Sequence, residues 1–285
     1  MENDGYSYGG GGSKKNKNPP KPAQEIRDLP PGFKNINFDW DGVLGVLREV
    51  MDQGNRRTCW TIASTRSLSA RLVAEKRFDP PLCLSALHLL VGLIDRVDLT
   101  GGLKNLEHLR TFLIDHGTVL EEECNCPQLA LEYKNDITKP NPELCTENKK
   151  NKHANKFKVQ DLIIKDNVNE TELIRLLIKG PVAVSMDVHI DFSNFEGDGI
   201  YCGPKKGSPK IDEHLILVSG IGTKMPKGIH FWKVQNSAGK IWGNKGYGKI
   251  LRQISLGRGK PSLFTKIVCP VLLDHYEGQN VRAHA

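Results

Sequence analysis

The stretch Gln53-Gly54-Asn55-Arg56-Arg57-Thr58-Cys59-Trp60 decides how the rest of the chain is interpreted. It places a glutamine shortly before a cysteine that opens a run with helical spacing. The thiolate is the reactive form of cysteine, and a helix N-terminus favours it. A Gln side chain and a backbone N–H can donate to an oxyanion. The stretch therefore predicts a helix start that carries a nucleophilic thiol; the alternative is a buried, unreactive cysteine.

Two later stretches add a base and an amide. His214 lies in residues 212–222, DEHLILVSGIG, and Asn236 lies in residues 233–247, KVQNSAGKIWGNKGY. An imidazole can take the proton of a thiol, and an amide can hold the other ring nitrogen. A cysteine followed downstream by His and Asn is a combination that suits a catalytic nucleophile.

The three stretches resemble the motifs of papain-like cysteine proteases. The first matches the family's Q-G-x-C-G-S-C-W at Gln53, Gly54, Cys59 and Trp60. It departs from that motif at Arg56 and Arg57. The second resembles D-H-A-V-x-x-V-G-Y-G, and the third resembles K-N-S-W-G-x-x-W-G-x-x-G-Y. The spacings slightly exceed the roughly 130–150 residues typical of the family, which loop insertions would explain. The resemblance implies an α+β fold, in which a helical lobe packs against a barrel-like β lobe with the active cleft between them.

The resemblance also implies a role for each matching residue. Cys59 would form a thioester acyl-enzyme, with His214 as general base and acid. Asn236 would orient His214, and Gln53 with the Cys59 N–H would hold the oxyanion. No metal or organic cofactor is needed. The residues expected to border the substrate are Gly101, Gly102 and Trp242.

Two functional hypotheses stay open. The first is a cysteine endopeptidase acting on peptides or proteins, with a cystatin-like inhibitor as a partner that the resemblance implies. The second is a catalytically silent relative that binds peptides or a partner protein through the cleft. Ala238 stands where the family has Trp, which would let water compete for the hydrogen bond between Asn236 and His214. Arg57 stands where the family has Gly, which would narrow the cleft or favour acidic peptides.

Composition limits the partners. The chain has 285 residues, enough for one large domain or two lobes with a shared interface. Its net charge of +7 comes in large part from a lysine-rich N-terminus, and no basic motif with interleaved aromatic residues supports nucleic-acid binding. The longest apolar stretch, residues 82–94, is too short to span a bilayer and predicts a core helix. We expect a monomer without a membrane or nucleic-acid partner.

The order of patterns predicts the domain organisation. Residues 1–36, rich in Gly, Lys and Pro, predict a disordered tail, and residues 276–285 a C-terminal tail. Residues 37–275 would form the peptidase domain, with a helical lobe over about 50–145 and a β-rich lobe over about 155–262. Helices are expected at 82–94, at 103–116 and from Asn169 onward. Strands are expected at 182–188, with alternating burial, and at 214–218 and 229–236.

The cysteines bear on the compartment. The chain has seven, and the disulfides usual in the family do not map onto them, because Arg56 and Leu99 occupy two of the half-cystine positions. The first residues lack the basic start and apolar stretch of a secretory signal, and nothing before Phe38 resembles a pro-region. We therefore expect the cytoplasm or nucleus, although the family is usually lysosomal, vacuolar or secreted. The pair Cys124 and Cys126 predicts no zinc site, which needs four ligands.

Overall fold

Three helices precede every strand except a short one at Phe38–Asp39. This computed structural model describes residues 37–124, 155–257 and 259–276, so the expected N-terminal tail and all but the first residue of the C-terminal one lie outside it. The first part holds α1 (Cys59–Ala74), α2 (Ala86–Gly92) and α3 (Leu106–Asp115), with 3₁₀ turns at Ile94–Arg96 and Glu121–Glu123. The sheet follows, so the α+β prediction is confirmed.

Eight strands form one sheet. In spatial order along it lie β2 (Asp161–Asp166), β8 (Phe264–Val271), β3 (Val182–His189), β5 (Lys210–Lys224), β6 (Ile229–Gln235), β7 (Tyr247–Leu251) and β4 (Ile200–Tyr201). β1 (Phe38–Asp39) pairs with β5 outside this path. All pairings are antiparallel except that of β4 with β7. In the part of the chain that the structure describes, three further helices lie among these strands, namely α4 (Glu170–Ile178), α5 (Ile190–Ser193) and α6 (Gln253–Leu256).

Helix α1 is the centre of the core. All its residues from Cys59 to Val73 are buried, and it contacts α2, β3, β5 and β8. A helix buried on every side must satisfy its polar side chains internally. Ser67 Oγ donates to the Pro181 carbonyl at 2.9 Å, and Thr65 Oγ1 donates to the Thr61 carbonyl at 2.8 Å. Because α1 contacts β5, its first residue, Cys59, lies where the helix meets the sheet.

Three local predictions need correction. The helix expected at residues 82–94 begins only at Ala86, because Ser85 caps it through His88 N–H and Leu84 pairs with Leu120 in an extended bridge. β3 is buried on both faces at its start, where helices α1 and α4 contact it, so the expected alternation is lost. His214 lies inside the long strand β5 and not at a strand start.

Other local predictions are confirmed. Asn169 caps α4, with its side-chain oxygen accepting from Glu172 N–H at 3.1 Å. α3 covers most of the expected 103–116 and starts later because Asn105 caps it. No helix within the described ranges is long and apolar enough to cross a membrane.

Candidate active site

The elements of the fold bring the predicted residues to one cleft. Cys59 is the first residue of α1, His214 lies on β5, and Asn236 directly follows β6. β5 and β6 are antiparallel neighbours, which places Asn236 beside His214. The backbone N–H of Leu215 points to Cys59 Sγ at 3.5 Å and ties the start of α1 to β5.

The histidine ring has a defined orientation. His214 Nε2 lies 2.7 Å from Asn236 Oδ1. The same Oδ1 accepts the backbone N–H of Ser237 at 2.8 Å. A backbone N–H can only donate, so this atom is the amide oxygen, and the hydrogen between it and His214 belongs to Nε2. The other ring nitrogen, Nδ1, is therefore available to Cys59, which is close enough to His214 for each group to shift the pKa of the other.

The pKa values of Cys59 and His214 are shifted in opposite directions from their ordinary values. Burial alone would raise the pKa of Cys59, but the charge of His214, its hydrogen bond and the Leu215 N–H outweigh burial and lower that pKa. Burial alone would lower the pKa of His214, but the charge of Cys59 and hydrogen bonds to Cys59 and Asn236 raise it. Both shifts favour a thiolate beside an imidazolium.

Gln53 is held in place by the segment that follows Asn236. Its backbone N–H donates to the Ser237 carbonyl at 2.8 Å, and Ser237 Oγ donates to Gln53 Oε1 at 2.6 Å. Its Nε2 donates to the Arg56 carbonyl at 2.5 Å. These contacts fix which end of the amide faces the cleft. An amide nitrogen carries two hydrogens, so the bond to Arg56 leaves one N–H that can donate to a ligand.

The cleft around these groups encloses about 220 Å³. Trp242 is buried at its edge, with Nε1 donating to the Phe192 carbonyl at 2.9 Å. The cleft is lined by Gln53, Gly54, Arg57, Cys59, Val188, Phe192, Ser193, Ile211, Asp212, Glu213, His214, Asn236, Ala238 and Trp242.

The glycine pair lies beside the cleft. Gly101 and Gly102 are buried and are not among the lining residues. The Gly101 carbonyl accepts from Trp60 Nε1 at 2.8 Å, and a Cβ added at Gly102 would lie 3.3 Å from Arg57 Cβ. Gly102 thus lies close to Arg57, and contact of the glycine pair with substrate stays a prediction.

Sequence reasoning missed two features of the site. The hydroxyl of Ser237 holds Gln53, and the carboxylate of Asp212 pairs with Arg57. Ser237 had a signal, since it is the residue next to Asn236. The pair of Arg57 and Asp212 had none, because 155 residues separate them.

Within the described ranges, no disulfide joins another cysteine to Cys59. All five cysteines in the described ranges are free thiols: Cys59, Cys83, Cys124, Cys202 and Cys269. Cys126 lies outside those ranges, so its pairing with Cys124 is not described. Within the described ranges, no group of three or more His, Cys, Asp or Glu side chains is arranged to hold a metal.

Known proteins resemble this chain in sequence and in fold. A cathepsin L-like proteinase from Fasciola hepatica is 30% identical over 209 residues, covering 73% of this chain and 58% of the relative. Cathepsin L1 from Drosophila melanogaster is 26% identical over 241 residues, covering 80% of this chain and 60% of the relative. The chain thus spans less than two thirds of the length of these relatives. A structure of the bromelain protease from Ananas comosus with the inhibitor E64 shares the fold, with a TM-score of 0.60, 20% identity and coverage of 83% and 99% of the two chains.

The family model for the papain family of cysteine proteases matches residues 35–268, most of the chain. The match contains Gln53, Cys59, His214 and Asn236, the four residues that the fold brings to one cleft. The chain belongs to the papain family of cysteine proteases.

Proposed function

We propose that the protein is a cysteine peptidase that hydrolyses peptide bonds through a thioester on Cys59. The observation that carries the proposal is the position of His214, whose Nε2 lies 2.7 Å from Asn236 Oδ1 while Cys59 Sγ accepts the backbone N–H of the next residue, Leu215, at 3.5 Å. This arrangement lets one ring hold a proton for the leaving group while it stabilises the thiolate.

The reaction follows from these contacts. The thiolate attacks the peptide carbonyl carbon, and the carbonyl oxygen becomes an oxyanion that the Gln53 Nε2–H and the Cys59 N–H would stabilise. When the C–N bond breaks, His214 gives its Nδ1 proton to the leaving amine, and a thioester remains. His214 then takes a proton from a water that attacks the thioester. The acid product leaves, and the proton and thiolate are restored as a pair.

The alternative is a silent protein that binds peptides through the same cleft. Ala238, Arg57 and the missing disulfides favoured it, and Ala238 was expected to expose the bond between Asn236 and His214. Asn236 is only 5% exposed with Ala238 beside it, and Gly239 N–H and Gln53 N–H join this segment to the one that carries Gln53. This burial favours the peptidase.

The decisive test is covalent labelling of Cys59 by an epoxide that reacts with activated thiolates, followed by hydrolysis of a fluorogenic peptide panel. Wild type should be labelled at Cys59 and should cleave at least one peptide, whereas Cys59→Ala and His214→Ala should do neither. Cys202→Ala removes an exposed thiol outside the cleft and should behave as wild type. A folded wild-type protein that takes no label at Cys59 would refute the peptidase.

A further inference from the structure

We propose that Arg57 and Asp212 form an ion-pair strap across one end of the cleft, and that the strap must open before an extended peptide can bind. The proposal rests on the peptidase function, because it concerns access to the same site. Arg57 Nε donates to Asp212 Oδ2 at 2.7 Å, and Nη2 contacts Oδ1 of the same carboxylate. The pair is therefore bidentate, the geometry in which Arg and carboxylate match best.

The two ends of the strap belong to opposite walls. Arg57 lies two residues before Cys59, and its backbone N–H donates to the Thr100 carbonyl at 2.9 Å, on the helical side. Asp212 lies on β5, two residues before His214, on the sheet side. Both residues line the cleft. Because each end is next to a reactive group, a peptide lying over Cys59 in this direction meets the strap.

A second carboxylate holds the arginine in place. Arg57 Nη1 contacts Asp98 Oδ2 at 3.1 Å. Asp98 is itself fixed by Thr100 N–H at 2.8 Å, Thr100 Oγ1 at 2.6 Å and Gly102 N–H at 3.0 Å. The guanidinium therefore starts from a rigid loop on its own side and reaches across to Asp212.

The charges favour closure over recognition of acidic substrates. Two carboxylates already satisfy the guanidinium, and the exposed Glu213 follows Asp212 directly. A substrate carboxylate would have to displace Asp212 and enter a site where acidic side chains outnumber Arg57. Uncharged peptides only require that the pair separates.

The strap is weak enough to open. The side chains of Arg57 and Asp212 are 46% and 30% exposed, so water and salt screen their attraction. An exposed pair of this kind favours its closed state by at most about fivefold. If only the open state binds peptide, the apparent Kd is raised by about the same factor.

The test measures peptide binding without turnover. The probe is a hexapeptide with blocked termini and uncharged side chains, whose central amide is replaced by an uncharged, non-hydrolysable carbon–carbon double bond. Its Kd is obtained from protection of Cys59 against iodoacetamide, quantified by peptide mapping. Because each variant is its own reference, changes in thiolate reactivity cancel. The variants are Arg57→Gln, Asp212→Asn and the double variant, with Lys165→Gln as a matched control that breaks an exposed ion pair with Glu172 elsewhere.

We expect Kd to fall up to about fivefold in each strap variant, with no further fall in the double variant, because both changes remove one interaction. Raising the salt concentration should lower Kd for wild type and Lys165→Gln but not for the strap variants. Equal Kd values in wild type and both strap variants would overturn the proposal. So would tighter binding of a Glu-containing hexapeptide to wild type that Arg57→Gln abolishes, since Arg57 would then recognise acidic substrates. If the strap variants bind the probe more tightly but wild type cleaves no peptide of the fluorogenic panel, the peptidase is refuted and the strap is kept.

Discussion

Replacing Asn236 with alanine tests the electrostatic core of the site. Asn236 Oδ1 accepts from His214 Nε2 at 2.7 Å, and this bond contributes to the raised pKa of His214. A hydrogen bond to a charged group is worth about 1.5–3 kcal/mol. Loss of the bond should lower the pKa of His214, because it removes one of the causes that raise it.

The sign determines the activity profile. His214 must be protonated to donate to the leaving amine, so a lower pKa moves the alkaline limb of kcat/KM to lower pH. Loss of the same free energy from the transition state should reduce kcat/KM at the optimum by about 10- to 150-fold. The pKa is measured by NMR titration of the His214 ring, and kcat/KM with a fluorogenic peptide.

Two controls accompany the change. Asn236→Asp keeps an acceptor oxygen and should hold the pKa of His214 high, whereas Asn244→Ala alters an exposed asparagine and should leave the profile unchanged. If His214 titrates at its wild-type pKa in folded Asn236→Ala, the role assigned to the amide is wrong.

Three further predictions concern the site and the core. Ser237→Ala removes the hydroxyl that holds Gln53 and should lower kcat about fivefold with KM unchanged, because the oxyanion contact forms in the transition state; a change in KM alone would contradict this. Leu109→Ala should lower the free energy of unfolding by about 2–5 kcal/mol in urea, since Leu109 is fully buried, whereas Leu44→Ala, 81% exposed, should change it by less than about 0.5 kcal/mol. Iodoacetamide at mildly acidic pH should label Cys59 first in peptide mapping, because its pKa is lowered, and earlier labelling of a thiol with a raised pKa would contradict the electrostatics. The thiols whose pKa burial raises are Cys83, Cys124 and Cys269.

The sequence was most informative where a local rule decides the structure. Asn169 caps its helix because an Asn side chain satisfies a free N–H at a helix start. The helix predicted for the apolar run from residue 82 was too long at its start. Leu84 instead pairs with Leu120 in an extended bridge, and the run itself gives no sign of that pairing. The burial of β3 could not be predicted from its own residues, because it depends on how α1 and α4 pack against the strand.

The candidate site also has a part that local sequence predicts and a part that depends on tertiary contacts. The candidate residues could be named from the sequence because each lies in a recognisable stretch. Arg57 and Asp212 lie on two segments that meet only in the folded chain, so neither segment predicts the contact. Tertiary contacts between unrelated stretches are thus the part that sequence patterns leave open.

The contact between Cys59 and the Leu215 N–H has a consequence for folding. It joins residues 156 positions apart, and closing so long a loop is slow compared with forming α1 itself. The helix alone cannot place the thiol beside the ring, because that ring arrives with β5. During refolding, Cys59 should therefore become rapidly alkylated at mildly acidic pH only late. The time at which this happens measures when the helix docks on the sheet.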